Sequence, residues 1–286
     1  MRAVRVVATG PLVTVQDAGR VGFAHLGVPR SGWLDDPAAR LANRLVGNPE
    51  DAAVLEVVLG GLVLEPTAAM AVAVTGAPAE VRVGDRSVAH GAAVPVRAGA
   101  RLSLGTPPAG LRSYVALAGG VAVEPVLGSR ATDTLSGTGP PTVAAGDVLP
   151  VGAATGEPSA AEAVPGQPGP AVLEATPGPR ADWFTAAALG TLATSAYTVE
   201  PASDRVALRL SGPPLGRAVT AELPSEGMVL GAVQVPPDGQ PVVFLADHPT
   251  TGGYPVVAVV DRTSVWRCAQ LRPGEQLRFR VRGAPR

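Results

Sequence analysis

Short apolar runs separated by glycine and proline set the pattern of this chain. Val4 to Val7, Val54 to Leu59, Val72 to Thr75, Val81 to Val83, Arg101 to Leu104 and Tyr114 to Leu117 have strand length and β-branched content. One helical pattern interrupts them: Asp36 is placed to cap, Pro37 to take the first turn, apolar positions follow to Leu45, and Gly47-Asn48 stops it. From Gly152 to Pro170 the apolar periodicity is lost and Ala, Gly, Pro, Ser and Glu remain, which predicts an exposed connection. Beyond it the pattern predicts a strand near Val172 to Ala175 and a helix from about Asp182 to Leu192. Strands follow around Val206 to Leu210, Val229 to Val235, Val242 to Leu245, Val256 to Val260 and Leu277 to Val281. The expected organisation is a mainly β protein with a few short helices: a β-rich subdomain over 1–151, a linker over 152–170 and a second β subdomain over 171–286. A glycine turn three residues ahead of a strand leucine recurs at Gly99, Gly146 and Gly274, as reused turn chemistry or as an echo of two related barrels.

Composition narrows what such a protein can do. Its 286 residues with 46% apolar content are enough to bury a core, and the 35 glycines and 30 prolines are spread as turns between the strands. A net charge of -1 offers no basic field to nucleic acid and no polybasic patch to lipid. No apolar run has bilayer length, and Met1 to Thr9 reads as an alternating strand with nothing that marks it for export. Cys268 is the single cysteine, so a reducing, cytoplasmic setting is the expectation. All 23 basic residues are arginine. These residues therefore carry no P-loop lysine, no Schiff-base amine, no Ser-Lys nucleophile system and no attachment point for biotin.

Three stretches are both polar and turn-rich, the usual setting of a site. The first, Thr14 to Asp36, holds Asp17, Arg20, His25, Ser31 and Asp35. A carboxylate, a guanidinium fork and an imidazole there could form a site; equally, Asp17 and Arg20 could pair, Ser31 support a turn and His25 be a partly buried ring. In the second, Gly128 to Asp133, Arg130 could clamp a carboxylate or phosphate beside hydroxyl and backbone donors, or form a loop-holding bridge to Asp133. The third gathers Ser225, Glu226 and Gly227, Gln234 ahead of a Pro-Pro-Asp-Gly turn, and Asp247, His248, Thr250, Thr251, Gly252, Gly253 and Tyr254. A hairpin through that turn would join two apolar strands, with hydroxyls and backbone N–H groups at its ends. His248 exchanges protons near neutrality and a neighbouring carboxylate can orient it. His25, His90 and His248 lie too far apart to predict a metal site, and Cys268 reads as a core residue.

The same segments resemble a known family, called KipA-like, allophanate hydrolase subunit 2, or the C subunit of bacterial 5-oxoprolinase, and also labelled biotin-dependent carboxyltransferase. The likeness spans nearly the whole chain. It rests on Thr14-Val15-Gln16-Asp17 with Gly19-Arg20, His25-Leu26-Gly27-Val28-Pro29 with Ser31-Gly32 and Asp35, and Asn43 through Pro49. It continues in Leu127-Gly128-Ser129-Arg130 with Thr132-Asp133, Ser225-Glu226-Gly227, Gln234-Val235-Pro236-Pro237 and Thr250 through Pro255. Trp33-Leu34 stands where the family more often has Ala-Met. The resemblance implies two β-barrel-like subdomains, at least one cyclophilin-like, and assembly with a KipI-like B subunit and an A subunit.

What the resemblance implies for function is the C subunit of an ATP-dependent 5-oxoprolinase that opens 5-oxoproline to L-glutamate. ATP would be shared with, or bound by, a partner, and no biotin would be attached to this chain. Arg20 or Arg130 would then hold the substrate carboxylate, backbone N–H groups near Gly252 and Gly253 would meet developing charge, and Asp35, Asp247 and His248 would transfer or position protons. Two alternatives remain: a carboxyltransferase component using carboxybiotin carried elsewhere, as in urea carboxylases, and a non-catalytic protein that binds a KipI-like regulator.

Overall fold

The structure, a computed structural model, describes residues 2–159 and 171–283. The predicted linker therefore lies partly outside the described residues, at 160–170. The chain divides into two compact units. The first takes the residues up to Arg20, then Ser31–Asp133 and the chain from Gly137; the second takes Val21–Arg30, Thr134–Ser136 and the C-terminal part. Two short excursions from the N-terminal half thus belong to the second unit.

In the first unit the strands are β1 (Ala3–Ala8), β2 (Leu12–Gln16), β3 (Val54–Val58), β4 (Val63–Pro66), β5 (Met70–Gly76) and β6 (Val81–Val83). They continue as β7 (Arg86–Val88), β8 (Ala93–Val96), β9 (Leu102–Leu104), β10 (Arg112–Leu117) and β11 (Val148–Pro150). They make a six-stranded sheet in the order β11-β1-β4-β9-β6-β7 and a five-stranded sheet in the order β2-β3-β10-β5-β8. Strand alternation assigns each side chain its face. Leu55, Val57, Val72, Val74, Val115 and Leu117 meet Val4, Val6, Leu64 and Leu102 of the other sheet in one buried core. The opposite face of the five-stranded sheet presents Val54, Ala73, Tyr114 and Ala116 to the helix α1 (Asp36–Leu45). Because both its faces are covered, β10 is buried at every position. Each large side chain so buried contributes about 1.5–3 kcal/mol.

The helix forms where the sequence predicts it, with a different cap. Asp35, not Asp36, accepts the Ala38 N–H at 3.0 Å, and Asp36 lies inside the first turn paired with Arg40 at 2.5 Å. Beyond the helix, Ser159 N–H donates to Leu45 O at 3.1 Å, so the start of the predicted linker, though exposed, is tied to the end of α1.

The second unit is built on β12 (Ala171–Pro177), β13 (Ala196–Val199), β14 (Ala207–Ser211), β15 (Glu226–Gly227), β16 (Ala232–Gln234), β17 (Val242–Phe244), β18 (Thr251–Gly252), β19 (Val256–Val260) and β20 (Gln276–Val281). Seven of these close a barrel in the order β12-β19-β16-β17-β14-β13-β20, sealed by the parallel pair β12 and β20. Register places Leu173, Tyr197, Leu208, Val233, Val243, Leu277 and Phe279 on one face, each buried, with Tyr197 and Phe279 edge to face at 5.9 Å. Alternate residues Ala207, Ala232, Val242, Phe244 and Val256 form a second buried cluster with Met228.

Two predicted elements are corrected here. The helix expected over 182–192 is split into a 3-10 turn (Ala181–Trp183) and α2 (Ala186–Thr194), because Phe184 turns extended and buries its ring while Thr185 caps the new start through Ala188 N–H at 3.1 Å. The strand expected over 229–235 is only Ala232–Gln234, with Val229 exposed before it. The recurring glycines behave as turn residues: Gly99, Gly146 and Gly274 all have positive φ (73°, 97° and 87°).

Candidate functional site

Two of the three polar stretches meet in the first unit, in a buried knot. The Asp17 carboxylate accepts the Gly19 N–H at 2.8 Å, the Ser129 hydroxyl at 2.5 Å and the Arg130 N–H at 2.5 Å. Arg20 is 2% exposed, and its guanidinium donates to the carbonyls of Val126 at 3.2 Å, Ala131 and Thr138 at 3.3 Å. Arg130 Nε donates to Val123 O at 2.6 Å. Ser31, at φ 55°, donates to Thr132 O at 3.1 Å, and Gln16 Nε2 reaches the same oxygen at 2.8 Å. Gly139 leaves room for this: a Cβ there would lie 2.1 Å from Ala131 O and 2.3 Å from Arg20 Nη2. Asp133 is buried, and its backbone carries the turn to Thr138 and Gly137. These groups hold loop backbone in place.

Asp35 is 3% exposed and caps α1. Its N–H donates to the Tyr114 hydroxyl at 2.8 Å, which in turn donates to Glu56 at 2.9 Å. Burial, reinforced by the carboxylates of Glu56 and Asp35, holds that phenol well above its usual range, so it stays a donor. His25 is placed elsewhere, exposed on a 3-10 turn (Ala24–Leu26) of the second unit with Nδ1 3.0 Å from Gly22 O.

In the second unit Asp247 is fully buried and forms a two-pronged pair with Arg205, at 2.9 and 3.0 Å. The same carboxylate accepts Thr134 N–H at 2.9 Å and its hydroxyl at 2.7 Å. The His248 ring packs against Phe244 with Nδ1 2.7 Å from Pro249 O. A buried carboxylate between a guanidinium and two further donors has its hydrogen-bonding capacity used, and it anchors the 134–136 excursion.

The third stretch is brought together around the barrel wall. Ser225-Glu226-Gly227 and the Thr-Thr-Gly-Gly run pair as a small antiparallel ladder, Glu226 opposite Gly252 and Gly227 opposite Thr251, with Met228 N–H on Thr250 O at 2.9 Å. The predicted hairpin through Pro-Pro-Asp-Gly is present, β16 pairing with β17. Gln234 lies on the outer face with Val242 and Val256, and its Nε2 donates to Tyr254 O at 2.9 Å. Gly252 is closely approached by side-chain ends: a Cβ would lie 2.7 Å from Gln234 Nε2 and 3.0 Å from Met228 Sδ, so both would have to shift to admit one. Glu226 pairs with Arg180, whose hydrogen bonds keep the carboxyl below its usual range.

Beside this ladder two clefts of about 320 and 460 Å³ share Arg217, Thr220 and Pro237 in their walls. Glu222, Gly253 and Tyr254 are among the other residues lining the first, and Asp238 and Gly239 among those lining the second. Arg217 donates through Nη2 to Val235 O and lies 5.8 Å from the Tyr254 ring centre. Its Nε is buried without a hydrogen-bond partner. Sequence reasoning missed Arg217; its signal was an arginine in a Gly- and Pro-bounded segment, Gly212 to Arg217, with no motif around it. Among the described residues no group of three or more His, Cys, Asp or Glu is arranged to hold a metal ion, and no helix is long and apolar enough to cross a membrane.

A closed β-barrel joined in one chain to a two-sheet β unit, with a small polar cleft on the barrel wall, defines the class. The profile of the carboxyltransferase domain, subdomain A and B, matches residues 26–281, and the chain belongs to that family. It is 39% identical over 278 residues to the C subunit of 5-oxoprolinase from Escherichia coli, covering 96% of this chain and 90% of that protein. The crystal structure of TTHA0988 superposes with a TM-score of 0.90 at 37% identity over 98% of this chain, and the chain spans 55% of that molecule's length. The Kluyveromyces lactis urea carboxylase superposes with a TM-score of 0.91 at 30% identity over 97% of this chain and 27% of that one.

Proposed function

We propose that this chain is the C component of an ATP-dependent 5-oxoprolinase, which opens the lactam of 5-oxoproline to L-glutamate together with a KipI-like B subunit and an A subunit. The observation that carries the reading is the likeness to the E. coli protein of that name along nearly the full length of both chains. ATP is assigned to a partner or a shared site, since the sequence holds no nucleotide-binding motif and no lysine. The buried Cys268 fits a reducing compartment, the cytoplasm.

The test is reconstitution. This protein, combined with its B and A partners, is expected to form glutamate and ADP from 5-oxoproline and ATP, with no turnover when it is omitted. A well-formed complex without turnover overturns the reading. It would favour the second one, carboxyl transfer from carboxybiotin on a separate carrier, which the fold likeness to urea carboxylase supports. That outcome is checked with urea and a biotinylated carrier protein.

A further inference from the structure

We infer that the cleft at Arg217 is the recognition site for a small monocarboxylate that also carries an amide N–H, with Arg217 pairing to the carboxylate. The inference deepens the reading above and rests on it for the identity of the acid, 5-oxoproline.

Three observations carry it. Among the described residues that line the two clefts, Arg217 is the single cationic side chain, and it lines both. Its guanidinium is anchored at one corner, by Val235 O, while Nε is buried and has no partner among the described residues. With Nη2 fixed and Nε buried away from solvent, Nη1 is left as the donor for a carboxylate oxygen, and the guanidinium charge stays beside it. The position of Arg217 is itself fixed: Ala218 and Val219 N–H groups both bond Trp183 O, at 2.8 and 3.1 Å, and Leu215 N–H bonds Gly239 O at 2.9 Å.

The charge in the walls selects the class of ligand. Glu222 stands in the smaller cleft with Arg217, so the lining sums to about zero, and Asp238 adds a negative group to the larger one, where it also caps the turn at Gln240 N–H. Such a lining suits a single negative charge accompanied by a hydrogen-bond donor for Glu222. It opposes a triphosphate, whose several charges would meet one arginine and two carboxylates, and urea, being neutral, offers the guanidinium a carbonyl acceptor but no counter-charge. Tyr254, 45% exposed and held at its carbonyl by Gln234, offers a flat face to a five-membered ring.

The binding arm uses ligand-detected NMR on the full chain and on the assembled complex, with 5-oxoproline, its neutral amide 5-oxoprolinamide, urea and ATP as probes. Expected is binding of 5-oxoproline that weakens about 10- to 100-fold for the amide on the unaltered protein, and by a similar factor for the acid in Arg217→Gln. The probe comparison needs no variant, so it stands even if Arg217→Gln loosens the loop. Equal binding of acid and amide, no binding of the acid to either preparation, or Arg217-dependent binding of ATP or urea overturns the inference. In the turnover arm, Arg217→Gln and Arg217→Lys are expected to raise KM for 5-oxoproline while kcat at saturation stays within about threefold. Turnover with an unchanged KM overturns the cleft and leaves the proposed activity standing. Arg217-dependent binding without turnover in the complex does the reverse.

Discussion

At the scale of single residues, burial separates groups that look alike in sequence. Asp247 and Glu226 are both carboxylates in turn-rich segments, but the first has no exposed surface and sits between Arg205 and Thr134, whereas the second shares a half-buried pair with Arg180. Asp247→Asn leaves Arg205 buried without its counter-charge and is expected to cost about 3–5 kcal/mol in denaturant unfolding, with activity per folded molecule unchanged. A selective loss of kcat at wild-type stability would instead make Asp247 part of the chemistry. The double variant Arg205→Met, Asp247→Leu is expected to be more stable than the single one, because no lone charge stays buried. Gly252→Ala presses on Gln234 and Met228. It is expected to cost about 1 kcal/mol and to raise KM for 5-oxoproline by releasing Tyr254 from Gln234, measured by thermal unfolding and steady-state kinetics.

At the scale of elements, the helix over 36–45 was legible because Pro37, the apolar positions and Gly47 all agree on it, but which aspartate caps it was not. Adjacent aspartates give the same signal, and the choice depends on which residue stays outside the helical conformation, here the one whose N–H is taken by the Tyr114 hydroxyl far along the chain. Asp35→Ala is expected to lose about 1 kcal/mol, and Asp36→Ala only about 0.3–0.5 kcal/mol from its half-buried i,i+4 pair with Arg40. Asp35→Asn, which still caps, is expected to keep both stability and turnover; loss of turnover with the helix intact would assign Asp35 a proton-transfer role. The hairpin at Pro-Pro-Asp-Gly was likewise legible from local turn chemistry. The pairing of Glu226 with Gly252 was not, since a two-residue ladder has too few positions to show any period.

For the whole molecule, acid stability tests how the first unit is buried. Burial pushes His90 below its usual range, against the opposing pull of the Ala77 and Thr75 carbonyls, and its Nε2 is buried without a partner. The unfolded chain, with a histidine near 6.5, therefore binds the proton more readily than the folded one. This contribution is present above about pH 6.5 and is lost as pH falls below it. Thermal midpoints measured from pH 7 to pH 5 are expected to fall less steeply in His90→Gln than in the unaltered protein; identical slopes would remove His90 from the account. Local pattern alone established the class of fold, the strand positions with strong β-branched runs, and the polar segments, because period, turn chemistry and composition are properties of neighbouring residues. Folding settled that Asp17, Arg20 and Arg130 tie loops to one another, that the barrel closes through a parallel pair between β12 and β20, and that Arg217 stands in a cleft with Glu222 and Tyr254. Each of those depends on groups well separated along the chain, and the charge and burial of a side chain's neighbours are set only when such segments meet.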